Sequence, residues 1–183
     1  MDIIIVDHNI KLEPTNELQA PQLFAAIDNN RIHLSRFLPW VADMQTVADL
    51  KDYLKNAEKL CQQKKEASFA IIFEGVAVGR IGLHHLNMQN KMGAIGYWLN
   101  KDAQGKGIML KSCKAVINYG FRDLGLHRIE IKAAVNNLKS QAIPVKLNFV
   151  AEGTLRQAEF VNNQFLDLFL YSMISDEWQA TKR

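Results

Sequence analysis

The strongest constraint on the fold lies in SFAIIFEGVAVGRIGLHHL, residues 68–86, where Glu74-Gly75 divides two apolar runs. Such a break predicts a tight antiparallel hairpin, because glycine accepts the positive φ that a short hairpin turn demands. The segment AIGYWL, ending at Leu99, supplies a third strand, so the middle of the chain reads as an antiparallel meander.

Everything else must be arranged around that sheet. Residues 3–12 read as a strand, and Pro14-Thr15 marks a turn before a helix over residues 16–29 whose apolar stripe is Leu18, Leu23, Ala26 and Ile27. Thr46 or Asp43 caps a second helix, with Val47, Leu50, Tyr53, Leu54, Ala57 and Leu60 at helical spacing. Beyond the meander, residues 108–123 set Met109, Cys113, Val116, Ile117 and Gly120 on one face and Lys111, Lys114, Asn118 and Arg122 on another, and Gly125 is placed to end that helix. HRIEIKAAV alternates as a strand. Asn137 caps a short helix ending near Leu147, and FVAEGT and QFLDLFLYSMIS supply the last strands. This order predicts an α+β fold around one mixed sheet, and 183 residues predict a single domain over 1–183.

Composition narrows the class. Hydrophobic residues at 48% and charged residues at 22% sit at globular averages, and no stretch approaches the roughly 18 apolar residues of a membrane span. The first residues lack the basic region of a secretory signal, and Cys61 and Cys113 form neither a disulfide framework nor a zinc spacing. A cytoplasmic protein with no metal is expected. The net charge of +3 favours an anionic ligand but not a concentrated nucleic-acid face.

The chemistry starts at Gln104-Gly105-Lys106-Gly107-Ile108-Met109, between the YWL strand and the next helix. The first N–H groups of a helix have no intrahelical acceptor, and the dipole adds about half a positive charge there. Glycines let phosphate approach that backbone, and Lys106 adds a mobile cation. The ATP-binding loop is disfavoured because its lysine follows the second glycine, and the dinucleotide fingerprint fails because its third glycine position holds Leu110. Taken alone, the glycines fit a plain turn equally well.

The hexapeptide resembles the Gln/Arg-x-x-Gly-x-Gly/Ala motif of the GCN5-related N-acetyltransferases (GNAT). The resemblance extends over GYWL, HRIEI, NLKSQAIPVKLNFVAEG and the terminal hairpin in that family's order, and so over essentially the whole chain. Through GYWLNKDAQGKGIM, NLKS, NFVAEG and RQAEF the chain looks most like the ribosomal-protein N-acetyltransferases of that family. The resemblance implies the GNAT fold, of about seven strands flanked by about four helices, and acetyl-CoA as cosubstrate. The pyrophosphate would lie on the main chain of Gln104, Gly105, Lys106, Gly107, Ile108 and Met109, with Lys106 and Lys111 assisting. It also implies an open strand edge at Trp98 and Leu99 whose main chain polarises the thioester, and Asn137 against the pantetheine arm.

Two departures from the pattern stand out. Met109 replaces a small residue, and Asn148 replaces glycine before Phe149. The tyrosine that many GNAT enzymes use as acid would fall at Pro144, which donates no proton and should distort the short helix. Ser140, in Asn137-x-x-Ser140, matches the serine that faces the thiolate in the similar subfamily, although Asn137 and Ser140 also read as an ordinary helix start. Glu159, in RQAEF, matches the proposed base of the ribosomal-protein serine acetyltransferases. Glu130, Glu152 and Asp167 read as structural acids, and His84, His85 and His127 as structural or surface histidines. The implied acceptor is a protein N-terminal amine. A small amine, polyamine or antibiotic, or a catalytically silent acetyl-CoA-binding module, stays open, as does a homodimer with LSRFLPW at its contact.

Overall fold

The computed structural model describes residues 1–180. Eight strands form one sheet in the order β1-β2-β3-β4-β5-β6-β8-β7. In chain order these are β1 (Ile4–Ile5), β2 (Ile10–Pro14), β3 (Ala67–Phe73), β4 (Val76–Asn87), β5 (Met92–Leu99), β6 (Arg128–Ala134), β7 (Val150–Val161) and β8 (Gln164–Ile174). The helices are α1 (Ala20–Asp28), α2 (Arg31–Leu34), α3 (Val47–Gln62), α4 (Ile108–Arg122), α5 (Leu138–Lys146) and α6 (Ser175–Ala180). Neighbouring strands are antiparallel except β5 and β6, which run parallel across the α4 crossover.

The meander forms as its turn chemistry requires. Glu74 and Gly75 take φ of +50° and +83°, the paired positive values of a two-residue hairpin turn. The single strand expected over residues 3–12 is instead a hairpin of β1 and β2, because Asp7 Oδ1 accepts from the Asn9 and Ile10 N–H groups and folds the chain back. That split adds one strand to the expected seven. The short α2 and α6 lie outside the four expected helices.

Two cores flank the sheet. On one face α4 packs Cys113, Val116 and Ile117 against Phe69, Ile81, Leu83 and Ile129. On the other, α1 and α3 pack Leu23, Ile27, Leu50 and Leu54 against Ala70, Ile72 and Trp98. Thr46, not Asp43, caps α3, in a reciprocal box with Asp49.

Strands β4 and β5 approach closely at Gly79, where an added Cβ would collide with the Trp98 carbonyl oxygen. That neighbour is backbone and cannot rotate away. Gly79→Ala is therefore expected to destabilise the fold by on the order of 2 kcal/mol, read as a lower urea midpoint; an unchanged midpoint would contradict the close approach.

Candidate active site

A cavity of about 690 Å³ opens where β5, the loop before α4, α2 and α5 converge. Its lining gathers Trp98, Leu99, Gln104, Gly105, Gly107, Ile108, Met109, Asn137 and Ser140, nine of the eleven residues that the resemblance assigns to catalysis or direct cofactor contact. Lys106 and Glu159 stand outside that lining.

The floor of the cavity is the start of α4. Asn100 Oδ1 accepts from Ala103 N–H at 2.9 Å and closes the 3-10 turn Lys101–Ala103, after which Gly105 and Gly107 take φ of +77° and +74°. Gly107 is the N-cap of α4 and no side chain caps that end. The first N–H groups of a 15-residue helix thus face the cavity unserved, which is the requirement for an anion. Met109 and Ile108 turn their side chains into the core, so Met109 costs the loop nothing where a small residue is usual.

Beside that floor the sheet splays. The β5–β6 pairing ends at Ile95↔Ile131, while β6 runs on beside β8 as far as Ala134↔Leu168. Residues 96–99 therefore keep one backbone edge open, although β4 pairs their other edge through Gly79↔Leu99. Trp98 packs against the α1–α3 core and 6.0 Å from the Trp40 ring, and its main chain faces Arg80 of β4, so the open edge presents the main chain of its neighbours Tyr97 and Leu99.

Gln104 ties the loop to both walls. Lys139 Nζ donates to its Oε1 at 2.9 Å, which fixes the amide orientation, so Nε2 donates to His33 Nε2 at 2.7 Å. His33 must then be neutral at that nitrogen. Burial, and then the nearby Lys139, Lys101 and Arg36 charges, hold its pKa below the ordinary histidine value. His33 had no signal in the sequence, since it lies in the generic segment RIHLSRFLPW. From that segment Phe37 and Leu38 line the cavity, whereas Trp40 stacks on Tyr53.

Asn137 Oδ1 accepts from Ser140 N–H at 3.2 Å and caps α5, which leaves the Ser140 hydroxyl for other work. The expected distortion at Pro144 does not break α5, which runs through it to Lys146. Leu147 N–H closes its last turn on the Ile143 and Pro144 carbonyls, and Asn148 takes the left-handed φ of +59° that the missing glycine would have supplied. Across the cavity, Tyr97 of β5 places its hydroxyl 2.9 Å from the Ser140 carbonyl oxygen and 3.2 Å from Ser140 Oγ.

The lysines divide differently from expectation. Lys106 Nζ lies 5.5 Å over the Phe73 ring, and Lys111 is ion-paired to Asp7 at 2.7 Å in a separate groove beside β1. Of the acids, Glu130 and Glu152 both pair with Arg128, which with Ser172 holds the Glu152 carboxyl down at about 2. Asp167 Oδ1 accepts from Gln157 N–H. The Glu159 carboxylate has no hydrogen-bond or ion-pair partner among the described residues, and burial alone raises its pKa. It sits half-buried just past an irregularity where the three β7 residues 156–158 oppose the single β8 residue Asp167, with Gln157 at φ +50°. Such a bulge re-aims the strand, and RQAEF carries no periodicity that foretells it. Among the described residues no group of three or more histidine, cysteine, aspartate or glutamate side chains is placed to hold a metal.

Residues 9–150 match the acetyltransferase (GNAT) domain family. The chain is 32% identical over 182 residues to a putative ribosomal N-acetyltransferase, YdaF, of Bacillus subtilis, covering 97% of each. It is 30% identical to the ribosomal-protein-serine acetyltransferase of Escherichia coli, covering 96% of this chain and 98% of that one. Its fold superposes with a TM-score of 0.92, at 27% identity and over 96% and 99% of the two chains, on a ribosomal L7/L12 α-N-protein acetyltransferase solved with coenzyme A.

Proposed function

This chain belongs to the GNAT acetyltransferase family, and from that premise we propose that it moves the acetyl group of acetyl-CoA onto the N-terminal α-amine of a ribosomal protein. The observation that carries the reading is the conjunction in one cavity of an uncapped α4 start, an open β5 edge and the Ser140 hydroxyl. The acceptor class draws its support from relatives of nearly the same length that are named for ribosomal proteins.

In this reading the main chain from Gln104 to Met109 holds the pyrophosphate. The Leu99 N–H, which alternates away from the β4 side where Asn100 N–H bonds the Val78 carbonyl, polarises the thioester carbonyl, and Asn137 contacts the pantetheine arm. The amine must be neutral to attack. An α-amine loses its proton at roughly 7.7–8.0, whereas lysine needs about 10.4, so a carboxylate acting through water suffices for the first. Glu159, its pKa raised by burial, is a stronger base than an ordinary glutamate. Ser140 gives the departing thiolate a hydrogen bond. The proline at position 144 leaves the site with two hydroxyls nonetheless, those of Ser140 and Tyr97.

Free thiol released from acetyl-CoA tests the acceptor class. Peptides with a free N-terminal serine or alanine are expected to release it, and the same peptides blocked at the N-terminus but carrying lysine are not. Equal release with the blocked peptide or with spermidine would overturn the α-amine reading. Lys106, exposed and held over Phe73, makes a smaller contribution. Lys106→Ala is expected to raise the KM for acetyl-CoA by about threefold, the scale of an exposed charge contact below 1 kcal/mol.

A further inference from the structure

Pro144 creates a problem in α5 that a residue on another element solves. In an unbroken helix the Ser140 carbonyl would accept from the N–H of residue 144, but proline has none and its ring crowds that oxygen. The Tyr97 hydroxyl reaches the same carbonyl at 2.9 Å from β5, 43 residues away in sequence. A carbonyl only accepts, so the phenol donates there and its oxygen is left to accept from Ser140 Oγ–H at 3.2 Å. One hydroxyl therefore grips both the main chain and the side chain of Ser140.

We propose that Tyr97 is a positioning residue that fixes the Ser140 hydroxyl in the cavity wall, standing in for the N–H that Pro144 lacks. The inference rests on the reading of Ser140 as the group that faces the thiolate. Tyr97 lines the cavity beside Ser140, and its strand carries the open edge past Ile95, so the grip also ties α5 to the strand that carries the thioester. Burial raises the phenol's pKa, which keeps it a neutral donor at working pH. The Ser140 hydrogen rests on a neutral phenol. As negative charge develops on a nearby sulfur, a rotation about the Cβ–Oγ bond moves that hydrogen to the better acceptor without displacing Oγ.

The test is a double-mutant cycle of Tyr97→Phe and Ser140→Ala in the full chain, read as kcat, KM for acetyl-CoA and melting temperature. Tyr97→Phe keeps the ring and is expected to lower kcat about tenfold, the scale of one hydrogen bond of about 1.4 kcal/mol, with KM for acetyl-CoA within twofold. In the Ser140→Ala background the same change is expected to cost nothing further in kcat. A full tenfold loss in both backgrounds, or no loss from Tyr97→Phe alone, would overturn the positioning role while leaving Ser140 in place. A Ser140→Ala enzyme with unchanged kcat would instead overturn the Ser140 reading and this inference with it. Should Tyr97→Phe not fold, the cycle is run in Pro144→Ala, where the residue-144 N–H serves the carbonyl again.

Discussion

Glu159→Gln is expected to lower kcat by about 10²-fold or more, the usual contribution of a positioned general base, while KM for acetyl-CoA stays within twofold. The substitution keeps shape and removes only the ability to take a proton. Glu130 and Glu152 are spent on Arg128 and Asp167 on the Gln157 N–H, so among the described acids on these strands Glu159 alone has an unengaged carboxylate. Its raised pKa also fixes the sign of two pH effects. The base acts when deprotonated, so activity falls as pH drops through a pKa above the ordinary glutamate value of about 4.3. For stability the sign is opposite. The folded state holds this proton more tightly than the unfolded chain, so the group contributes stability below the unfolded pKa that is lost as pH rises through the folded one. At neutral pH Glu159→Gln should therefore melt no lower than the parent, and a collapse in kcat with an intact melting curve is the signature. Unchanged kcat would remove Glu159 from the mechanism.

Gly107→Val is expected to raise the KM for acetyl-CoA by about two orders of magnitude, the loss of one or two charge-assisted N–H contacts at about 1.5–3 kcal/mol each. The reason is conformation, not space. A Cβ at Gly107 would meet nothing within 4 Å, but φ is +74°, where a β-branched residue is strained and the start of α4 would have to rebuild. Gly107→Asn separates the two explanations, because asparagine visits that region readily and should keep most of the affinity. Valine and asparagine variants that bind acetyl-CoA equally well would contradict the role of this turn as an anion cradle.

Much of this arrangement is legible in the sequence because it is set by local chemistry. The Glu74-Gly75 hairpin, a cap at Thr46 and the buried face of α4 follow from neighbours within a few residues, and the structure places each accordingly. The glycine loop is legible for the same reason, since a helix start without a capping side chain is a local property. What the sequence conceals is long-range. Tyr97 meets Ser140, and His33 meets Gln104 from 71 residues away, only because β5 splays from β6 and α2 folds over the loop. Asp7 shows the opposite failure, in which one short side chain overrides an apolar run that alternation reads as a single strand. Pro144 shows a third, since the loss of one helical donor looks destructive until its replacement on another element is visible.

The proposed α-amine acetylation is tested most directly by incubating the protein with acetyl-CoA and ribosomal proteins purified with free N-termini, then mapping acetylation by fragment mass spectrometry. The predicted result is an acetyl group on the N-terminal α-nitrogen of one ribosomal protein, absent without enzyme and strongly reduced with Glu159→Gln. Acetylation confined to lysine side chains, or none on any ribosomal protein alongside rapid turnover of a small amine, would contradict it.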